Sequence, residues 1–202
     1  MISAIVLAAG ESKRMGQTKQ LLEFQGKTIL EHVLENLQAS RVGEVILVLG
    51  HEAERIRQKV PAQKIMVVIN PRYEEGMSTS LRKGLMAMDK KAEAFMVVLA
   101  DQPAISKGIL NRLIQSFEQA RAEKSIVLPT YRGSRGHPVL FSTKHKKEAL
   151  GLKGDVGCRQ ILVDHPEDIL EIEVDSDAVL YDIDTPEDYR DQKKWRFRGK
   201  GQ

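Results

Sequence analysis

Three continuous apolar runs constrain the first half of the chain: residues 2–7, 44–49 (EVILVL) and 94–100 (AFMVVLA). Each has the length of a strand, and none alternates apolar with polar. That pattern belongs to strands buried on both faces, as in a parallel sheet covered by helices. Segments of helical period lie between them. Residues 27–39 carry Ile29, Leu30, Val33, Leu34 and Leu37 at helical spacing behind Thr28 as a cap. A short helix is expected over 52–60, a strand over 65–69 broken by Asn70-Pro71, a helix over 78–88 with Ser78 as N-cap, a long amphipathic helix over 105–122 and a strand over 125–128. Alternation of this kind predicts right-handed βαβ crossovers and an α/β fold: a three-layer α/β/α sandwich with a Rossmann-like, mostly parallel sheet.

Beyond residue 128 the alternation loosens. The pattern predicts a strand over 137–141, a short helix over 143–150 and a helix over 155–164 with Asp155 as its N-cap. Strands over 169–174 and 179–183 follow, then a last helix opening at Thr185-Pro186-Glu187-Asp188 with proline in its first position. Neither a repeat nor a linker interrupts this, so residues 1–190 read as one domain. Residues 191–202 form a basic tail with Trp195 and Phe197 among its lysines and arginines. Such a tail could touch nucleic acid or an acidic partner, but a frayed, solvated end is the expectation.

A net charge of +3 over 202 residues does not point to nucleic-acid binding. Cys158 is the single cysteine, so no intrachain disulfide is possible and nothing indicates an oxidising compartment. The opening apolar run lacks a basic flank and leads straight into Glu11 and a charged loop, so it reads as a strand rather than a secretion signal. No apolar stretch approaches membrane-spanning length. The expectation is a cytoplasmic protein, a monomer or weak homo-oligomer.

The chemistry starts where the first strand ends, in Leu7-Ala8-Ala9-Gly10-Glu11-Ser12-Lys13-Arg14-Met15-Gly16-Gln17-Thr18-Lys19. Gly10 and Gly16 let the backbone approach a ligand and offer N–H groups to an anion. Arg14 can fork onto phosphate oxygens, and Lys19 supplies a mobile point charge. The spacing is neither a Walker P-loop nor a dinucleotide fingerprint. Asp101, in Leu99-Ala100-Asp101-Gln102-Pro103, follows a central strand and so falls on the same rim of the sheet. Triphosphate chemistry requires a divalent cation, and Mg²⁺ favours one or two carboxylates with phosphate oxygens and water. Asp101 is the first candidate ligand, with N-capping of the following turn as its competing role. Asp182 and Asp184 are two residues apart and would share a face on a strand; Asp184 also stands where a helix cap belongs.

Two further stretches are informative. Residues 70–81 combine Gly76 with Ser78, Thr79 and Ser80, a capped helix start on its own terms. Arg135-Gly136-His137-Pro138 and Gly154-Asp155-Val156-Gly157-Cys158-Arg159 are glycine-bearing turns whose His137, Asp155 and Arg159 could frame an anionic acceptor. Metal-binding Cys/His clusters, a G-x-S-x-G elbow and a Cys/His nucleophile pair are absent from the sequence.

The stretch from Leu7 to Lys19 resembles the N-terminal signature of the MobA-like nucleotidyltransferases. Its Leu7-Ala8-Ala9-Gly10 form is similar to the molybdenum cofactor cytidylyltransferase branch, whereas the guanylyltransferase branch typically carries glycine at the place of Ala9. Asp101-Gln102-Pro103 is similar to the family's metal-binding D-Q-P motif, and Gly154 to Arg159 to its G-D-x-G-x-R pattern, with Cys158 where alanine is expected. The matches run in family order along nearly the whole chain, the basic tail excepted.

The resemblance implies a fold of the nucleotide-diphospho-sugar transferase type and a Mg²⁺-dependent transfer of CMP from CTP to the terminal phosphate of molybdopterin. Under it, Arg14, Lys19 and Asp101 are catalytic, and Leu7, Ala8, Ala9, Gly10 and Ser80 join them in holding the nucleotide. Asp101 and Asp184 hold the metal, and His137, Asp155 and Arg159 face the acceptor. It also implies CTP and the molybdenum cofactor as substrates, with a recipient molybdoenzyme or its chaperone as a candidate partner. The nearest alternatives keep the chemistry but change the acceptor to a sugar or polyol phosphate, or the donor to GTP. A different class is a non-catalytic pterin or nucleotide carrier.

Overall fold

The computed structural model describes residues 1–60, 64–155 and 157–193. In chain order its strands are β1 (Ile2–Ala8), β2 (Glu23–Phe24), β3 (Lys27–Thr28), β4 (Glu44–Leu49), β5 (Met66–Ile69), β6 (Ala94–Leu99), β7 (Ile126–Tyr131), β8 (Ser134–Arg135), β9 (Val139–Ser142) and β10 (Ile169–Glu173). Its helices are α1 (Ile29–Gln38), α2 (Ala53–Arg57), α3 (Met77–Ala87), α4 (Lys107–Ala120), α5 (Lys146–Gly151), α6 (Arg159–Asp164) and α7 (Pro186–Lys193).

The main sheet runs β10-β7-β9-β6-β1-β4-β5, with β8 paired to β7, and β2 and β3 form a separate hairpin. β1 is parallel to both β4 and β6, β5 continues parallel to β4, and β10 is parallel to β7. Only β9 runs against its neighbours β6 and β7, apart from the small β8 arm. The parallel strands therefore all end on one rim, and β9 begins there.

The three long apolar runs are β1, β4 and β6, the centre of the sheet, and both faces are covered. Ala4, Val6 and Ala8 of β1 pack with Leu34 of α1 and Leu113 of α4 on one side. Ile5 packs with Leu81 and Leu85 of α3 and with Phe95 on the other. Period-2 alternation thus survives inside an all-apolar strand, with both faces buried. Gly84 lets α3 lie directly on β1, because a Cβ there would collide with the Ile5 side chain. Thr28 and Glu31 form a reciprocal capping box that starts α1.

Four sequence expectations are corrected. Residues 179–183 form no strand. A 3-10 turn, Asp177–Val179, leads into irregular chain whose Val179 carbonyl accepts from His137 N–H and whose Ile183 N–H donates to the Asp101 carbonyl. The segment therefore crosses the rim instead of extending the sheet. Asp155 does not cap a helix of its own segment, because α6 starts at Arg159. Ser78 is not an N-cap but lies inside α3, whose first N–H groups are met from elsewhere in the chain. The last helix is capped by Thr185 rather than Asp184: Thr185 Oγ1 accepts from Asp188 N–H at 3.1 Å, and Asp188 accepts from Thr185 N–H at 2.8 Å. Most of the basic tail, 194–202, lies outside the described residues. Among the described residues no helix is long and apolar enough to cross a membrane.

Candidate active site

At the rim where the parallel strands end lies a cavity of about 570 Å³, open to solvent. The loop after β1 forms one wall. Ser12 turns it with φ of +54° and its carbonyl accepts from Met15 and Gly16 N–H, while Gly16 takes a φ of +73° that suits glycine. Ser12 Oγ accepts from Lys19 N–H at 3.3 Å, and buried Gln20 donates to the Ala8 carbonyl at 3.4 Å. Met15 is buried with Phe24, Ile29 and Ile183. That small apolar cluster pins the loop against the segment carrying Asp182 and Asp184.

The result is a charge cluster built from three distant parts of the chain. Lys19 Nζ bonds Asp101 Oδ2 and also Asp184 Oδ1, the latter at 2.7 Å. Arg14 reaches the other Asp184 oxygen at 2.5 Å. Lys19 and Asp101 are only 14% and 13% exposed at their side chains, whereas Arg14 is 71% exposed and free to turn toward a ligand. Burial alone would lower the Lys19 pKa, but Asp101 and Asp184 outweigh it and hold the ammonium above its usual range. Burial likewise opposes ionisation of Asp184, yet Lys19 and Arg14 pull its carboxyl below the usual range. Both groups are charged at neutral pH.

Asp101, Asp182 and Asp184 each offer a carboxylate oxygen within 4.8 Å of the others. Lost solvation, then the charges of Asp101 and Asp184, push the Asp182 carboxyl up. Asp101 Oδ1 is buried with no protein partner among the described residues. An orphaned carboxylate oxygen beside two further carboxylates suits a hard divalent cation, which would supply the missing partner and relieve the repulsion.

The other wall is the start of α3. Gly76, at φ +107°, packs against the Gly154 backbone. The Gly154 carbonyl accepts from Ser78 N–H at 3.1 Å, and Asp155 Oδ1 accepts from Met77 N–H at 3.1 Å. Asp155 therefore caps α3, seventy-eight positions earlier in the chain. Beneath this wall, buried Asn70 donates to Thr79 Oγ1 at 2.8 Å and to Ser80 Oγ at 3.0 Å.

Of the residues singled out from sequence, Leu7, Ala9, Gly10, Arg14, Lys19, Ser80, Asp101, Asp155 and Asp184 line the cavity. Ala8 is buried beneath it. His137 and Arg159 are not among the lining residues. Arg159 is exposed at the start of α6, and His137 lies at the head of β9, near enough to feel the Asp182 charge. Burial lowers the His137 pKa, only partly offset by Asp182, so its ring is neutral at pH 7. Sequence reasoning missed Gln20 and Asn70. Asn70 read as a strand breaker before proline, and the nine- and ten-residue steps from Asn70 to its hydroxyl partners cross a loop and carry no periodic signal.

The MobA-like NTP transferase domain pattern matches residues 4–169. The chain belongs to the MobA-like NTP transferase family. It is 30% identical over 191 residues to the molybdenum cofactor cytidylyltransferase of Escherichia coli (strain K12), covering 93% of each chain. It is also 30% identical over 192 residues to the nicotine blue oxidoreductase of Paenarthrobacter nicotinovorans, covering 92% of this chain and 93% of that one. The manganese complex of Rv0371c from Mycobacterium tuberculosis H37Rv matches with a TM-score of 0.80 and 29% identity, over 94% of this chain and 96% of that one. The family match and this structural neighbour bear out the fold expected from the sequence, and the neighbour was solved in complex with manganese.

Proposed function

We propose that this protein is a cytoplasmic, Mg²⁺-dependent cytidylyltransferase that moves CMP from CTP onto the terminal phosphate of molybdopterin. The observation that carries the reading is Lys19, a largely buried cation held between Asp101 and Asp184 in the cavity beneath the glycine loop. Cation and carboxylates are balanced against each other in the free protein. A nucleotide bound with its cation would exchange those partners, giving Lys19 the phosphates and the carboxylates the metal.

In this reading the backbone from Gly10 onward and the side chains of Arg14 and Lys19 bind the triphosphate. Asp101 and Asp184 would hold Mg²⁺, which would neutralise charge between phosphates. Leu7, Ala8, Ala9 and Ser80 border the base, with Asn70 fixing the Ser80 hydroxyl. The acceptor's phosphate oxygen forms a bond to the α-phosphorus as the bond to the bridging oxygen breaks, and pyrophosphate leaves. A phosphate monoester has a second pKa of about 6, so it is largely dianionic at pH 7 and needs no general base. The neutral, buried His137 agrees with that, since catalysis then rests on position and charge. Asp155 lines the cavity on the side assigned to the anionic acceptor, Arg159 would have to reach it from the exposed start of α6, and Ala9 in place of glycine favours CTP over GTP.

Pyrophosphate release from each of the four NTPs, with Mg²⁺ and with or without molybdenum cofactor, tests the proposal. Release with CTP that depends on the cofactor is expected. Cofactor-dependent release with GTP would overturn the donor assignment, and release only with another phosphate acceptor would overturn the acceptor.

A further inference from the structure

On the opposite rim, where the parallel strands begin, a second cluster of ionisable groups has no place in the reaction above. Residues 143–145 form a 3-10 turn that runs into α5, and Pro166–Asp168 form another after α6. Between them lie His145, Glu148, His165 and Asp168, with Ser125 just ahead of β7. His145 is 3% exposed, whereas His165 and Glu148 are about a third exposed.

His145 Nε2 lies 2.8 Å from Ser125 Oγ and 3.8 Å from Asp168 Oδ2, so this edge of the ring is engaged and Nδ1 is turned the other way. His145 Nδ1 faces Glu148 Oε2 at 3.6 Å, longer than a hydrogen bond. His165 Nε2 approaches the same Glu148 oxygen at 3.0 Å. Two ligands of a tetrahedral ion with bonds near 2.0–2.1 Å lie about 3.3 Å apart, between these two distances.

We propose that His145, Glu148 and His165 bind one divalent transition-metal ion of the Zn²⁺ type, with solvent in the fourth position. All three offer ligand atoms within 4.8 Å of one another. Two imidazoles and one carboxylate select Zn²⁺-like ions over Mg²⁺, which favours oxygen alone. Ser125 and Asp168 orient His145 from behind. Lys144, the nearest ammonium, is already paired with Asp168 at 2.9 Å. Cys158 offers no ligand atom to this group.

The ion would clamp two short elements. α5 and α6 have 6 residues each, too few to hold their shape alone. At their other ends they carry the turn whose Gly154 and Asp155 close the wall of the cavity. Metal at one rim thus firms a wall at the other.

The test is Co²⁺ titration of chelator-treated full chain carrying Asp101→Asn and Asp184→Asn, which removes the carboxylate site. One equivalent should bind with the intense visible bands of four-coordinate Co²⁺, without a thiolate charge-transfer band. Zn²⁺ should displace it and Mg²⁺ should not. Adding His165→Gln or Glu148→Gln should weaken binding about 100-fold, and Ser125→Ala about 10-fold. Saturating Zn²⁺ should raise Tm by on the order of 5 °C. Absence of the bands, or equal affinity after His165→Gln, would overturn the site. Should the double variant not fold, the same titration of the unmodified chain under excess Mg²⁺ decides the question.

Discussion

The two rims of the sheet carry two ionic clusters of opposite character. At the rim where β1 and β6 end, three carboxylates meet a lysine and an arginine that arrive on one loop. At the rim where β7 and β10 begin, two imidazoles meet one glutamate, and the local lysine is held elsewhere. The first cluster holds its own counter-charges and opens on a cavity, as a site must if it exchanges a charged ligand at each turnover. The second brings ligand atoms of two imidazoles and a carboxylate together beside two short helices, as suits the structural ion proposed for it. On the proposed readings, the oxygen donors and cations of the first rim would serve chemistry and the imidazoles of the second would serve structure.

Separate substitutions should split these roles. The largest effect is expected from Asp101→Asn, which keeps shape but removes the charge of a carboxylate with an orphaned oxygen. Mg²⁺-dependent pyrophosphate release should fall by about 10³-fold, with Co²⁺ binding at the histidine rim unchanged. Full activity would remove Asp101 from the mechanism. Next comes Lys19→Ala. It should raise the KM for NTP and slow transfer by roughly 10²-fold together, since Lys19 is the one cation buried in the cluster among the described residues. An unchanged rate and KM would count against the loop assignment.

The first rim was largely legible in sequence because its parts are local signals. A continuous apolar run ending in Gly10, with Arg14 and Lys19 beyond, states both a buried strand and a cationic loop at its end. Asp101 at the end of a second such run states the shared edge. What the sequence left open is long-range. Asp155 read as the cap of its own helix, but it caps α3, because Gly76 without a Cβ lets the Gly154 backbone approach. Residues 179–183 had the apolar content of a strand, yet their backbone groups are spent on His137 and Asp101. The histidine rim was invisible, since His145 and Glu148 at the start of α5 meet His165 only because the chain after α6 returns to that end.

Asn70→Ala should give the next smaller effect. It removes the donor shared by the Thr79 and Ser80 hydroxyls in a buried network. A loss of about 1–3 kcal/mol in stability is expected from urea unfolding, with a rise in KM for CTP but little change in kcat. A stability loss with KM unaltered would confine Asn70 to the fold and take Ser80 away from the base.

The smallest effect belongs to Asp182→Asn, and it separates Asp182 from Asp184. Asp182 is exposed, so solvent screens it, and removing its repulsion toward Asp101 and Asp184 should stabilise the metal-free chain at pH 7 by less than about 1 kcal/mol. The sign follows from the raised pKa of the folded state. In the window between the unfolded value near 3.8 and the raised folded value, the folded chain holds the proton more tightly, so stability falls as pH rises through it. The advantage of asparagine should therefore be complete above that window and vanish below it, as Tm at pH 7 and at pH 3.5 would show. Turnover with Mg²⁺ completes the comparison. If Asp184 alone partners Asp101, Asp182→Asn keeps activity within about threefold while Asp184→Asn loses on the order of 10²-fold; equal losses would place both carboxylates on the metal.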